Sequence, residues 1–367
     1  MTGTRDPSPG LPAGAASGAE TLLKDCVGLQ SGESLLVVEE AATLGYYDQL
    51  APQQVKATAS AMGARVSALQ APDSDAFQAD RSGFLEQLTG YDHVVFLARI
   101  GDQIRFARDT KLGSATMVYT LGADMLESEF GTACHHGMCE VKAAIDNAFL
   151  QAEEIELTCP LGSRYIGKPD WPAGEAQEVT LKRFPMLVPI PIPTAGFSGR
   201  IVVSRFLVGT GSQAYSPYTL ALDTDVVAFL DNNRITAFEG DPECVAKMEH
   251  HYDHVASLFN LDTYCVHSWH AGIHPGCWYH TSAHEDLYRW SGSAFGNPRL
   301  MHMHTCGDYA PGEISWNIVD PTIRVDDVVL WENGRLHPQR LASGAEIFDA
   351  HPHLEMLFAN PRTDIGL

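Results

Sequence analysis

HVVFLARI (93–100) is a continuous apolar run. A strand exposed on one face alternates apolar and polar residues, whereas one covered on both faces does not. ATMVYTLG (115–122) repeats the pattern, and SLLVVEE (34–40) follows a Gly32-Glu33 turn. Arg65 to Leu69 reads as a further strand. Segments of helical spacing fall between these runs: Glu20 to Leu29, residues 48–62 ending at Gly63, and a long one around Cys139 to Ala152. Strands alternating with helices predict an N-terminal α/β layer with a mostly parallel sheet. No G-x-G-x-x-G follows the first strand, so nucleotide binding has no motif behind it.

The character changes after residue 153. EIELTC (154–159), RIVVSRFLV (200–208) and VVAFLDNNRITAFEG (226–240) read as strands, the last as a hairpin turning at Asp231-Asn232-Asn233. One helix is expected at about Pro242 to Phe259, and DDVVLWENGRL (326–336) reads as a second hairpin with Asn333-Gly334 at its turn. The expected fold is therefore α/β, and α+β overall. A disordered tail (1–19) precedes an N-terminal α/β domain (20–153) and a C-terminal β-rich domain (154–367) carrying a metal site.

The chain has 367 residues and a net charge of −22. Such a surface repels phosphate backbones and anionic lipid, so neither nucleic acid nor membrane is an expected partner. No apolar run approaches the ~18 residues of a membrane span. The N-terminus lacks the basic start and apolar stretch of a signal peptide, and the eight cysteines form no C-x-x-C pair. A cytoplasmic protein with reduced thiols is expected.

Ten of the sixteen histidines lie between 250 and 304. Histidine is the commonest metal ligand and titrates nearest neutral pH. His250, His251 and His254 sit in the helical stretch and read as a solvated face. His270 opens HAGIHPG (270–276), where glycine and proline impose a tight backbone of the kind that holds functional side chains. His302 and His304 alternate with Met301 and Met303 in RLMHMHTCG. On a strand, residues two apart share a face, so both imidazoles project together with the methionines packed behind. Asp308 and Glu313 are the nearest downstream carboxylates to complete a set of two histidines and one acid, which suits Fe(II).

Those motifs resemble the metallo-aminopeptidases of the aminopeptidase T type and their relatives, the 2,5-dihydroxypyridine 5,6-dioxygenases. LLKDCVGLQSGESLLVV (22–38) is similar to the family's opening helix, turn and strand. EIELTCPLGSRYIG (154–167) is similar to the start of its second domain, HAGIHPG to its first-ligand segment, and DPTIRVDDVVLWENGRL (320–336) to its closing hairpin. The aminopeptidases carry glutamate in the first-ligand segment and the dioxygenases histidine. His270 therefore leans the resemblance toward a single-iron oxygenase. Both relatives carry H-x-D before the last hairpin, but the matching positions here are Glu313 and Ser315, so His302 or His304 is expected to replace the missing ligand.

The expected metal set is His270, His302, His304 and Glu313, with either Asp308 or Glu313 as the carboxylate. The metal is expected to be Fe(II), with Zn, Co or Mn as alternatives. The reaction is expected to be oxygenation by O2 of a small polar, cyclic or aromatic molecule. His274, His280 or His284 would act as base on a substrate hydroxyl, Arg164 and Tyr165 would bind a carboxylate, and a homo-oligomer is expected. A two-metal aminopeptidase and a non-catalytic binding protein with an altered site are the alternatives.

Overall fold

A computed structural model describes residues 16–104, 112–171, 181–209, 214–308 and 311–367. The tail expected over 1–19 lies outside the described residues up to residue 15. Ser17 then forms a capping box with Glu20, and Gly18 and Ala19 are already buried in a helix.

The apolar runs become β1 (Ser34–Glu39), β2 (Arg65–Gln70), β3 (His93–Leu97) and β4 (Ser114–Val118), all mutually parallel as predicted. The chain then starts another sheet with β5 (Ile155–Thr158) and β6 (Arg164–Gly167). It returns to lay β7 (Lys182–Phe184) parallel to β4, giving the order β2-β1-β3-β4-β7.

The later strands are β8 (Ile192–Pro193), β9 (Phe197–Val203), β10 (Phe206–Val208), β11 (Thr219–Ala221), β12 (Val226–Asp231) and β13 (Arg234–Gly240). After them come β14 (Val266–Ala271), β15 (Leu300–Cys306), β16 (Glu313–Val319), β17 (Thr322–Val325), β18 (Val328–Glu332) and β19 (Arg335–Leu336). They form two antiparallel sheets, ordered β11-β10-β16-β15-β14-β8 and β13-β12-β9-β6-β5-β17-β18-β19. This mixture of one parallel and two antiparallel sheets is the expected fold class.

Several elements differ from the sequence reading. RIVVSRFLV is not one strand: Arg205 adopts a left-handed φ of 69°, and the chain crosses there from β9 to β10 in different sheets. HVVFLARI and ATMVYTLG end as strands at Leu97 and Val118, so Arg99 and Tyr119 lie just past the strand ends. Two helices, Gly344–Ala350 and Pro352–Ala359, follow the last hairpin unforeseen.

The helix Pro242–Phe259 matches its predicted limits. Asp241 accepts from the Glu243 and Cys244 amides at its start, and Asn260 closes it at φ 53°. Its histidines do not all face water, however. His251 is buried, its ring 6.0 Å from that of Tyr215, because it shares the inward stripe with Met248, Tyr252 and Val255. Burial lowers its pKa to about 4. His254 Nε2 donates to the Ser216 carbonyl at 2.9 Å.

Candidate metal centre

β15 pairs with β14 on one side and β16 on the other. Opposite one another across the ladder lie His270 and His302, Ser268 and His304, His302 and Asn317, and His304 and Ser315. Alternation then sorts the side chains into two rows. Trp269, Met301, Met303 and Trp316 enter the core between the antiparallel sheets, each methionine contributing on the order of 2 kcal/mol by burial. His270, His302, His304, Ser315 and Asn317 face a cavity.

The three imidazoles offer nitrogens that all lie within 4.8 Å of one another, and all three residues are buried. His304 Nε2 and His270 Nε2 are 3.1 Å apart. Two nitrogens bound about 2.1 Å from one ion at roughly 90–109° lie about 3.0–3.4 Å apart. The opposite ring edges are held by oxygen: His304 Nδ1 lies 3.1 Å from the Asp308 carbonyl and 3.1 Å from Glu313 Oε1, and His270 Nδ1 lies 3.4 Å from the Pro189 carbonyl. A proton engaged at Nδ1 leaves the Nε2 lone pair to point inward, the state a metal requires. Burial, reinforced by His302 and His304, holds the His270 pKa well below its usual value and keeps the ring neutral. The donor set therefore fits a divalent ion.

Glu313 lies behind His304, on its Nδ1 side, and is not one of the three converging groups. Asp308 meets His304 through its backbone carbonyl.

The space within the cavity and its open mouth together is about 540 Å3, solvent included. Its other wall comes from segments just past β3 and β4: Arg99, Asp102 and Tyr119, joined by Arg183 of β7 and by Trp290, Ser291 and Phe295. Open parallel sheets place ligands at the carboxyl ends of their strands, and here that end faces the histidine row. Arg99 Nη1 donates to Asp102 Oδ2 at 2.8 Å, and the Tyr119 hydroxyl donates to Asp102 Oδ1 at 3.0 Å. Sequence reading missed this wall. The available signal was a lone arginine in an apolar run, with an aspartate three residues on.

The histidines expected as bases do not line the cavity. After β14 the chain turns toward the N-terminal sheet, and His274 is buried against Phe130 with its Nδ1 accepting from the Gly276 amide at 3.1 Å. Burial lowers its pKa to about 3. His280 stacks on Trp278 and pairs with Asp364, and His284 sits exposed, edge-on to Phe206. Arg164 and Tyr165 are likewise elsewhere, on β6. Arg164 is exposed and pairs with Glu156 at 2.8 Å, and Tyr165 is buried against Phe197.

No protein family model matches the chain, and no curated protein matches it. Among solved structures, the 2,5-dihydroxypyridine dioxygenase of Pseudomonas putida KT2440 is similar in fold. Its TM-score is 0.55 at 14% identity, with 87% of this chain and 96% of that one covered. At that identity the likeness bears on fold alone. Among the described residues, no helix is long and apolar enough to cross a membrane.

Proposed function

We propose that the chain is a mononuclear non-haem metal oxygenase acting with O2 on a small polar, cyclic or aromatic substrate. Convergence of His270, His302 and His304 on one cavity carries this reading. An Fe(II) held by them would supply electrons to O2 and a coordination position for substrate oxygen. Zinc, cobalt and manganese are the alternatives for the same donors. In this reading Glu313 orients His304 rather than binding the ion, and Trp290 and Phe295 keep water from the reacting face. Proton handling passes from His274, His280 and His284 to the Asp102–Tyr119 pair, which lines the cavity. A homo-oligomeric, cytoplasmic enzyme belongs to the same proposal.

A two-metal aminopeptidase needs carboxylates bridging its ions. Among the described residues the converging group contains none, Glu285 is exposed and Glu313 stands behind His304. The single-metal reading is therefore preferred.

Metal analysis of the purified protein tests the proposal, with anomalous scattering at the iron edge to locate the ion. One iron per chain beside His270 is expected, and His270→Ala should abolish it without unfolding the protein. Two zinc or cobalt ions per chain would sink the oxygenase reading, as would full metal retention by His270→Ala.

A further inference from the structure

Arg99 is the unusual group in the cavity wall. It is 3% exposed, and only Nη1 is matched to a carboxylate, that of Asp102. Among the described residues its Nε and Nη2 have no partner at hydrogen-bonding geometry. The Tyr288 phenol nevertheless reaches the guanidinium in a looser side-chain hydrogen bond, and the guanidinium carbon lies 4.8 Å and 5.3 Å from the ring centres of Tyr46 and Tyr288. Buried donors left unmatched are costly, and guanidinium presents a planar fork suited to two oxygens. Burial works against the charge, and Tyr46, Asp102 and Tyr288 sustain it.

The surrounding charge points the same way. The chain carries −22 overall, yet among the described residues the cavity lining includes the arginines Arg99 and Arg183 beside the carboxylate of Asp102. Glu40, which takes the Arg99 backbone amide, has its pKa raised chiefly by burial. Three neutral imidazoles would leave the two positive charges of a divalent ion only partly offset by the Glu313 carboxylate behind His304. A negatively charged bound molecule would complete the balance.

We propose that Arg99 is the substrate's carboxylate anchor, and that the substrate class is a small aromatic or cyclic carboxylic acid. Its carboxylate pairs with the Arg99 guanidinium, and a hydroxyl or keto oxygen at its other end reaches the histidine row. Arg99 is then a specificity-determining residue. The inference rests on the oxygenase reading for what happens at the far end, but the carboxylate preference can be measured without it.

The test is calorimetry with 3,4-dihydroxybenzoate and 4-hydroxybenzoate, each beside its carboxamide, on metal-loaded and chelator-treated full-length protein. The wild type should prefer acid to amide by about ten- to hundred-fold, in both metal states. In Arg99→Gln the preference should fall to near unity, and a circular dichroism spectrum matching the wild type reports that the fold is intact. Arg99→Lys keeps the charge without the fork and should give an intermediate preference, which decides the matter if the glutamine variant does not fold. An acid-to-amide ratio near one in the wild type would overturn the proposal, as would a full ratio in either variant. If metal never binds but the ratio behaves as described, the oxygenase reading fails and the anchor stands.

Discussion

At the scale of single residues, the centre depends on what holds each imidazole from behind. His304 has two oxygens at its Nδ1, the Asp308 carbonyl and Glu313 Oε1, each at 3.1 Å. The carboxylate raises ring basicity as well as fixing its angle, and loss of such an outer partner typically costs about 10–100-fold in metal affinity. Glu313→Gln keeps the shape and an acceptor but removes the charge. It should therefore weaken metal binding about tenfold in chelator competition while leaving one site per chain; unchanged affinity would show that Glu313 does not act through His304. The His302–His304 pair was legible because strand period alone places residues two apart on one face. Arg99 was not, because it closes an apolar run whose continuity reads as buried strand, and only the strand's end at Leu97 frees it to turn into the cavity.

At the scale of elements, the glycines of HAGIHPG acquire a specific reason. A side chain on Gly272 would put its Cβ 2.2 Å from the Asn297 carbonyl oxygen. The Gly272 amide donates to the Leu300 carbonyl at 2.9 Å, and its own carbonyl accepts from the Trp331 indole at 3.0 Å. The end of β14 is thus pressed against the segment leading into β15, and this sets His270 opposite His302. Gly272→Ala should cost about 1–3 kcal/mol from overpacking and loosen the metal site with it. Urea unfolding and metal stoichiometry measured together check this; a variant as stable as wild type would show that the backbone yields there. The helix Pro242–Phe259 was legible at its limits, and the structure adds the Asp241 cap at its start. The pair Gly344–Ala350 and Pro352–Ala359 was not, since a glycine and an internal proline interrupt its spacing; in the structure Pro352 simply opens the second helix at a position where its missing amide is harmless.

At the scale of the whole molecule, the two halves of the sequence share their interiors. The core around the parallel sheet takes in Leu181, Phe184, Phe206, Trp290 and Ile365 from beyond residue 153, and β7 closes the β4 edge. Periodicity identified the layers but carries no record of this return crossing, which joins residues distant in sequence. A boundary at 153/154 is therefore tested by whether residues 20–153 fold alone, and the shared core predicts that they do not. The same shared interior makes the protein sensitive to acid as one body. His135, His251 and His274 are buried in different places, with pKa values lowered, chiefly by burial, to about 4, about 4 and about 3. Each takes up its proton more readily unfolded, near 6.5, than folded, so the stability it permits is complete above about 6.5 and is lost as pH falls toward 4. Each group accounts for about 3–5 kcal/mol at most, against a typical total of about 5–15. His267 acts oppositely: against its own burial, Cys265 and the Cys306 carbonyl raise its pKa to about 9, so its contribution is full below 6.5 and cannot offset three groups. Chelator-treated protein should consequently lose several kcal/mol between pH 7.5 and pH 5 in urea titrations. His251 has neither ring nitrogen hydrogen-bonded among the described residues, so His251→Phe should recover part of that loss, about 1–2 kcal/mol at pH 5. Equal stability at both pH values, or an acid loss unchanged in the variant, would show that these rings become protonated without the fold opening.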